Sequence, residues 1–328
     1  MTSSCCHCTM THRLLLIAGA ILLCQSLAFA QKPGGTTSAG GAQFRLQVSY
    51  AAGVAQAYEI VEQSTTKRTF EDGNVQTYDR TVKYYATLRC IESIDGIATL
   101  VVNMDSLEYK FTSEGTDVTY DSQHDITPKN FVDLNNYIGP LNRTYQITVS
   151  PYGAVSDVKG EQVEFWRDYL KENAIDLDSV TYMVWMQSLD NDNLLHYGDL
   201  QKRVVPGLKV GIDSTWKHNF DLRIDGVMYS DRVTSKFTEY SGGIFKMQMK
   251  DTIAARSQDI HTYGLPVVTK VEDGAAEVDH TVELSNTGAI ENVRSVAKAW
   301  FRGKALNVRF TQETTSTTSW KLTGQYQW

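Results

Sequence analysis

From Phe44 to the C-terminus the chain keeps returning to one signature, an apolar residue at every second position: Leu46/Val48/Tyr50, Phe220/Leu222/Ile224, Phe245/Met247/Met249, Leu306/Val308/Phe310 and Trp320/Leu322. A strand turns successive side chains to opposite faces, so a period of two marks strands with one buried and one wet face, as in antiparallel sheets. Asp95-Gly96, Asp225-Gly226, Gly242-Gly243 and Asp273-Gly274 punctuate these runs. Such pairs accept the positive φ of two-residue hairpin turns. The expected fold class is therefore mainly β, a β-rich α+β protein.

One stretch breaks the rhythm. Within 161–203, Val163, Trp166, Tyr169 and Leu170 fall on one helical face, and Leu177, Val180, Met183, Val184 and Met186 on another. This spacing predicts a pair of amphipathic helices. Asp176 or Asp178 can cap the second, and the polar run Asp190–Asn193 ends its first stretch. Pro206-Gly207 closes the insert.

On either side of the helices the sequence echoes itself. Ile147, Val149, Ser150, Gly153, Ala154, Val155 and Val158 match Val282, Leu284, Ser285, Gly288, Ala289, Ile290 and Val293 at a constant offset of 135. Gly53 with Tyr58 corresponds to Gly211 with Trp216, and Ser93/Gly96 to Tyr240/Gly243, in the same order. The expectation is two related antiparallel β units, 43–160 and 206–328, with a helical insert at 161–205. Gly153 and Gly288 then take positive φ in equivalent structural turns.

Residues 1–30 read as a secretory leader: His12 and Arg13, the apolar run Leu14–Leu23, then Ala28-Phe29-Ala30 as a cleavage site. The apolar run is about half the ~20 residues needed to span a bilayer, so no retained transmembrane helix is expected. The location is periplasmic or secreted. A lipoprotein anchored through Cys24 is the weaker alternative, because Leu23 stands where a small residue is required. Gln31–Ala42, rich in Gly, Ser and Thr, reads as a flexible linker. Cys5, Cys6 and Cys8 lie upstream of the apolar run, so cleavage leaves Cys90 as the one cysteine of the mature chain. Its core must hold without disulfides, which roughly 300 residues can do. Cys90 is expected to be a small buried hydrophobe.

Without Arg13, 31 basic residues become 30, against 38 acidic ones. An acidic chain lacking a basic stripe argues against nucleic acid as a partner. The five mature histidines, His124, His196, His218, His261 and His280, show no helical i, i+4 pair for a metal. Tyr120–His124 holds Asp121, Ser122 and His124, but adjacent residues do not build a triad, and no G-x-S-x-G elbow exists. A turn is expected there. Asp190–Asn193 lacks the glycine and distant glutamate of a calcium loop. Phe301–Lys304 lacks the earlier glycine of a phosphate loop. The expectation is no catalytic residue, no metal ligand and no cofactor. The remaining lead is the helical insert, where Trp166, Tyr169, Tyr182, Met183, Trp185 and Met186 sit beside a sheet-rich body. Aromatic and thioether side chains suit an adaptable apolar site between sheet and helices, for a lipid or another apolar small molecule.

Gly53-x4-Tyr58, Tyr120-Asp121-Ser122, Ile147-x-Val149-Ser150-x-x-Gly153-x-Val155 and Pro206-Gly207-Leu208-x-Val210-Gly211-x4-Trp216, together with the leader, resemble a family of exported bacterial β-rich proteins known as a domain of unknown function. The resemblance implies a two-part β-rich exported protein and carries no catalytic residues. The reading is thus an exported, non-enzymatic protein that binds an apolar ligand. Its alternatives are an envelope structural or interaction protein, a hydrolase, and an outer-membrane β-barrel. The barrel is suggested by Trp320, Leu322, Gly324, Tyr326 and Trp328 alternating to a terminal aromatic. The helical insert and the charged strand faces weigh against it, and favour an edge or closing strand of a soluble sheet.

Overall fold

Alternation sustained over 17 to 20 residues makes very long strands, and these organise the molecule. The structure is a computed structural model describing residues 42–328 apart from Ile126, Pro128, Lys129 and Pro266. The leader, the cleavage site after Ala30, Cys24 and the linker up to residue 41 lie outside the described residues. The strands are β1 (Gln43–Arg45), β2 (Val54–Phe70), β3 (Val75–Ile94), β4 (Ile97–Ser113), β5 (Thr116–Asp121), β6 (Tyr145–Val149), β7 (Val155–Lys159) and β8 (Lys209–Gly211), followed by β9 (Thr215–Ile224), β10 (Val227–Ser241), β11 (Ile244–Ala255), β12 (Asp259–Ile260), β13 (Thr269–Ser285), β14 (Ile290–Ala305) and β15 (Val308–Gln327). The helices are α1 (Val132–Ile138), α2 (Glu161–Glu172), α3 (Ser179–Ser188) and α4 (Asn191–Gly198). The protein is mostly β, and its strand pairs are antiparallel.

One sheet runs in the order β7-β6-β4-β3-β2-β15-β14-β13-β11-β10-β9, with β5 beside β4 and β12 beside β13. β1 and β8 form a separate two-stranded ribbon. The strands on either side of the helical insert meet at β2 and β15. Of the two places expected for the C-terminal strand, an edge or a closing position, the edge does not hold: it pairs with β14 on one side and β2 on the other, joining the two halves of the sheet. Within each half the order is the same, β2-β3-β4-β6-β7 and β9-β10-β11-β13-β14.

Turn chemistry agrees with this order. Asp95/Gly96, Asp225/Gly226 and Gly242/Gly243 all have positive φ at both positions, as two-residue hairpins need. Gly153 (φ 65°) and Gly288 (φ 87°) end matching turns. In both, the serine three residues earlier accepts from the glycine N–H, and its hydroxyl accepts from the following alanine N–H. Each turn also lies beside a hairpin tip, Gly96 near Pro151 and Gly243 near Asn286. Two expectations fail. Asp273-Gly274 is no turn but lies within β13 at a bulge opposite β14, where a Cβ on Gly274 would meet the Trp300 carbonyl. A glycine inside a strand serves such close approaches as well as turns. Leu306, counted above in a strand, is the exposed turn between β14 and β15, with φ 53°.

Inward-facing side chains of both halves form one continuous core, from Leu46 and Tyr58 to Phe310 and Trp320. α4 touches both edge strands, β7 and β9, and α1 packs on α3. The insert holds three helices rather than a pair. Asp178 caps α3 through Val180 N–H and Thr181 N–H, whereas Asp190 starts α4 by accepting from Asn193 N–H. The polar run thus ends one helix by beginning another. Among the described residues, no helix is long and apolar enough to cross a membrane.

Candidate functional site

Where alternation predicts apolar interior positions, several inward residues are charged. The Asp225-Gly226 turn between β9 and β10 points its carboxylate at the middle of the sheet. Tyr78 (2.6 Å), Arg80 (2.6 Å), Gln312 (2.6 Å) and Thr66 (3.3 Å) donate to it. Arg80, 5% exposed, also bonds both oxygens of Asp133 on α1, and Tyr109 donates to the same carboxylate. Arg68, fully buried, donates to Gln312, Gln76 and the Tyr263 carbonyl. Buried charges need such pairing, because isolated ones cost several kcal/mol. Burial alone would raise the Asp225 carboxyl, but Arg80 and the Tyr78 hydroxyl hold it below the usual carboxylate range.

Beside this network lies a cavity of about 50 Å³, lined by Glu62, Arg80, Asn136, His196, Arg223 and His261 among others. A water occupies roughly 10–15 Å³ on this measure, so a few small polar atoms fit. His196 and His261 are buried, and the Nδ1 of each lacks a hydrogen-bond partner, as does Asn136 Oδ1. His196 Nε2 donates to Glu62 at 2.9 Å. Burial, with Lys202 nearby, lowers the His196 pKa, and burial lowers that of His261, so both rings are neutral at pH 7.

Gln187, Arg223 and Gly226 line both this cavity and an adjoining groove of about 330 Å³. Met183 and Met186 on α3, Met228 on β10 and Ile260 on β12 form its apolar wall. Arg223 is 13% exposed and its side chain reaches Asp190 at 3.4 Å; among the described residues that is its one side-chain hydrogen bond. Arg223 therefore borders both the methionine-walled groove, whose other lining residues include Asp190, Asp192, Gln258 and Asp259, and the smaller, mostly polar cavity.

The six residues singled out in the sequence divide. Met183 and Met186 line this groove. Trp166 lines a different one, of about 670 Å³ between α2 and the α1–β6 connection, with Arg143 stacked 4.5 Å from its ring centroid. The Trp185 ring centroid lies 6.0 Å from the same guanidinium. Tyr169 is exposed against Phe165 and Trp166, and Tyr182 is half-buried. Met228, Ile260, Arg223, His196 and His261 escaped the sequence reading because they come from elements far apart in the chain. Two buried histidines whose Nδ1 atoms lack a partner are the signal, and it is visible only in three dimensions.

The other constellations are structural in geometry. Asp121 accepts from Gln123 N–H and pairs with His124, while Ser122 Oγ accepts from Leu107 N–H, an exposed turn at the end of β5. His218 and His280 each meet a serine of a neighbouring strand, Ser235 and Ser295. Cys90 is buried, and burial raises its thiol pKa. Among the described residues no cluster of three or more His, Cys, Asp or Glu is placed to hold a metal ion.

No curated protein matches the chain in sequence. Among solved structures it is similar to lipovitellin, described with its lipid–protein interactions, at 12% identity and a TM-score of 0.42; the match covers 85% of this chain and 26% of that one. The chain thus spans about a quarter of lipovitellin's length. Similarity extends to Neisserial surface protein A, at 7% identity and TM-score 0.17 over 82% of this chain and 98% of that one. It also extends to OmpF of Salmonella typhi in complex with daunomycin, at 7% and 0.17 over 81% and 97%. A family model matches residues 95–290, from the β3–β4 turn to the start of β14, which takes in Met183, Met186, Arg223, Met228 and His261. The chain belongs to DUF6263, a family of unknown function.

Proposed function

We propose that this is an exported binding protein whose ligand lies in the methionine-walled groove between α3 and the β9–β10 hairpin. The observation that carries the reading is the continuity of that groove with a buried cavity containing unpartnered polar atoms. Ligand sites combine a largely apolar concave wall with a few convergent polar groups, and methionine adapts to varied apolar shapes. The leader at residues 1–30 supports a periplasmic or secreted location. The equal strand order of the two halves and the matching Ser150–Ala154 and Ser285–Ala289 turns support an internal repeat of one five-strand unit. The 43–160 and 206–328 units would be its copies, and 161–205 the helical segment between them.

Outward faces of the central strands bear on the barrel alternative. Lys67 on β2, Glu313 on β15 and Lys298 on β14 are exposed there, two of them directly paired in register. Lysine at a bilayer midplane costs roughly 2–4 kcal/mol, which favours water around this sheet. A second reading, an envelope interaction module, draws on exposed Phe165 (63%) and Ile175 (93%) around α2. Mass spectrometry of the protein purified under mild conditions tests the first reading. A co-purifying apolar molecule supports it; none retained, and no added amphiphile raising the melting temperature, overturns it in favour of a module captured with an envelope protein.

A further inference from the structure

We infer that the ligand is a single-chain amphiphile with a carboxylate head, its chain along Met183, Met186, Met228 and Ile260 and its head against Arg223. This rests on the groove reading above and adds the head-group chemistry. A guanidinium offers five N–H donors in a planar fork, matched to two carboxylate oxygens. Arg223 uses one of the five, on Asp190 at 3.4 Å, in a position 13% exposed to water. The remaining donors stand where the apolar groove meets the polar cavity. Nearby acidic groups are already committed. Asp225 takes Tyr78, Arg80, Gln312 and Thr66; Glu62 takes His196; Asp190 caps α4 through Asn193 N–H. Arg80 is satisfied by Asp133 and Asp225. Among the side chains lining the cavity, Arg223 keeps unused donors, while His196 Nδ1, Asn136 Oδ1 and His261 Nδ1 have no partner. His196, donating through Nε2, and Asn136 Oδ1 offer acceptors there, whereas His261 supplies a further donor in its Nδ1–H tautomer.

Asp192 and Asp259 are exposed and also line the groove. Their carboxylates disfavour a second anionic group in the groove. A single anionic head at the inner end and a plain chain outward therefore fit better than a dianionic phosphate or a lipid with charges at both ends.

The test compares three probes of equal chain length on the purified protein by calorimetry: dodecanoate, dodecanol and dodecyltrimethylammonium. Dodecanoate is expected to bind at least about tenfold tighter than dodecanol, a difference of about 1.4 kcal/mol. In Arg223→Gln that preference disappears, with an unchanged circular dichroism spectrum showing that the variant folds. Met186→Gln weakens dodecanoate and dodecanol together. Equal binding of dodecanoate and dodecanol, a preference for the ammonium probe, or an Arg223→Gln variant that keeps the preference overturns the head-group assignment while leaving the groove. Failure of all three probes to bind overturns the groove reading itself.

Discussion

Asp225→Asn isolates the charge at the centre of the fold. Asp225 has φ 49°, and asparagine tolerates that left-handed conformation as well as aspartate, so the turn keeps its backbone. The carboxylate accepts from four side chains, three of them at 2.6 Å. An amide presents one acceptor and one donor, so at least one of these short bonds becomes donor against donor. Hydrogen bonds to charged groups contribute about 1.5–3 kcal/mol each. Removing one partner of a buried pair costs about 3–5 kcal/mol when the other charge is orphaned. Here Asp133 still neutralises Arg80, which puts the expected loss near the lower bound, about 3 kcal/mol. Urea unfolding at pH 7, followed by circular dichroism, measures it. In an Arg80→Met background the same change should cost less, with a coupling of at least about 1 kcal/mol. The pH profile adds a sign. Asp225's folded pKa is depressed, so its contribution is complete above the unfolded value of about 3.9 and fades as the pH falls through the lower folded value. Asp225→Asn should remove that part of acid destabilisation. A loss below about 0.5 kcal/mol, additive with Arg80→Met, would refute the claim that this network carries the turn.

Three further outcomes follow from local geometry. Gly153→Ala and Gly288→Ala should both destabilise by about 1–3 kcal/mol because both need positive φ. Gly288→Ala should cost more: its Cβ meets the backbone at Gln47 and Ser49, whereas Gly153's meets the Gln201 side chain, and equal unfolding midpoints would contradict this. Burial lowers the His280 pKa to about 3, so its contribution is complete above pH 6.5 and is lost as the pH falls toward 3, by up to about 1.4 kcal/mol per pH unit. His280→Asn should flatten urea midpoints between pH 6 and 4, and an unchanged slope would count against a neutral buried ring. In a chain beginning at residue 31, Cys90 should react with a thiol reagent only on unfolding, since it is buried with a raised pKa. Labelling faster than unfolding would contradict that placement.

Much of the sheet is legible in the sequence, because long antiparallel strands write their burial as period two and their turns as Asp-Gly or Gly-Gly. Asp225 shows where that reading stops. Its turn is plain in sequence, but its inward carboxylate depends on Arg80, 145 residues earlier, and on Gln312, 87 residues later. Arg68 and Arg80 occupy inward positions that alternation assigns to apolar residues. Asp273-Gly274 reads as a turn because the dipeptide does not distinguish a hairpin from a bulge. At the site, Met183 and Met186 stand out as a local cluster on α3, whereas their partners Met228 and Ile260 are single apolar residues in ordinary strands. The proposed site is therefore half visible in sequence, through the one wall that comes from a continuous segment.

Methionine methyl resonances test the account most directly. Six methionines lie within the described residues. Met104, Met247 and Met249 are fully buried in the sheet, while Met183, Met186 and Met228 line the groove. With [13C]methyl-methionine protein titrated with dodecanoate, the three groove methyls are expected to shift together and saturably while the three sheet methyls stay in place. Saturable binding that leaves Met183, Met186 and Met228 unmoved would contradict the placement of the ligand.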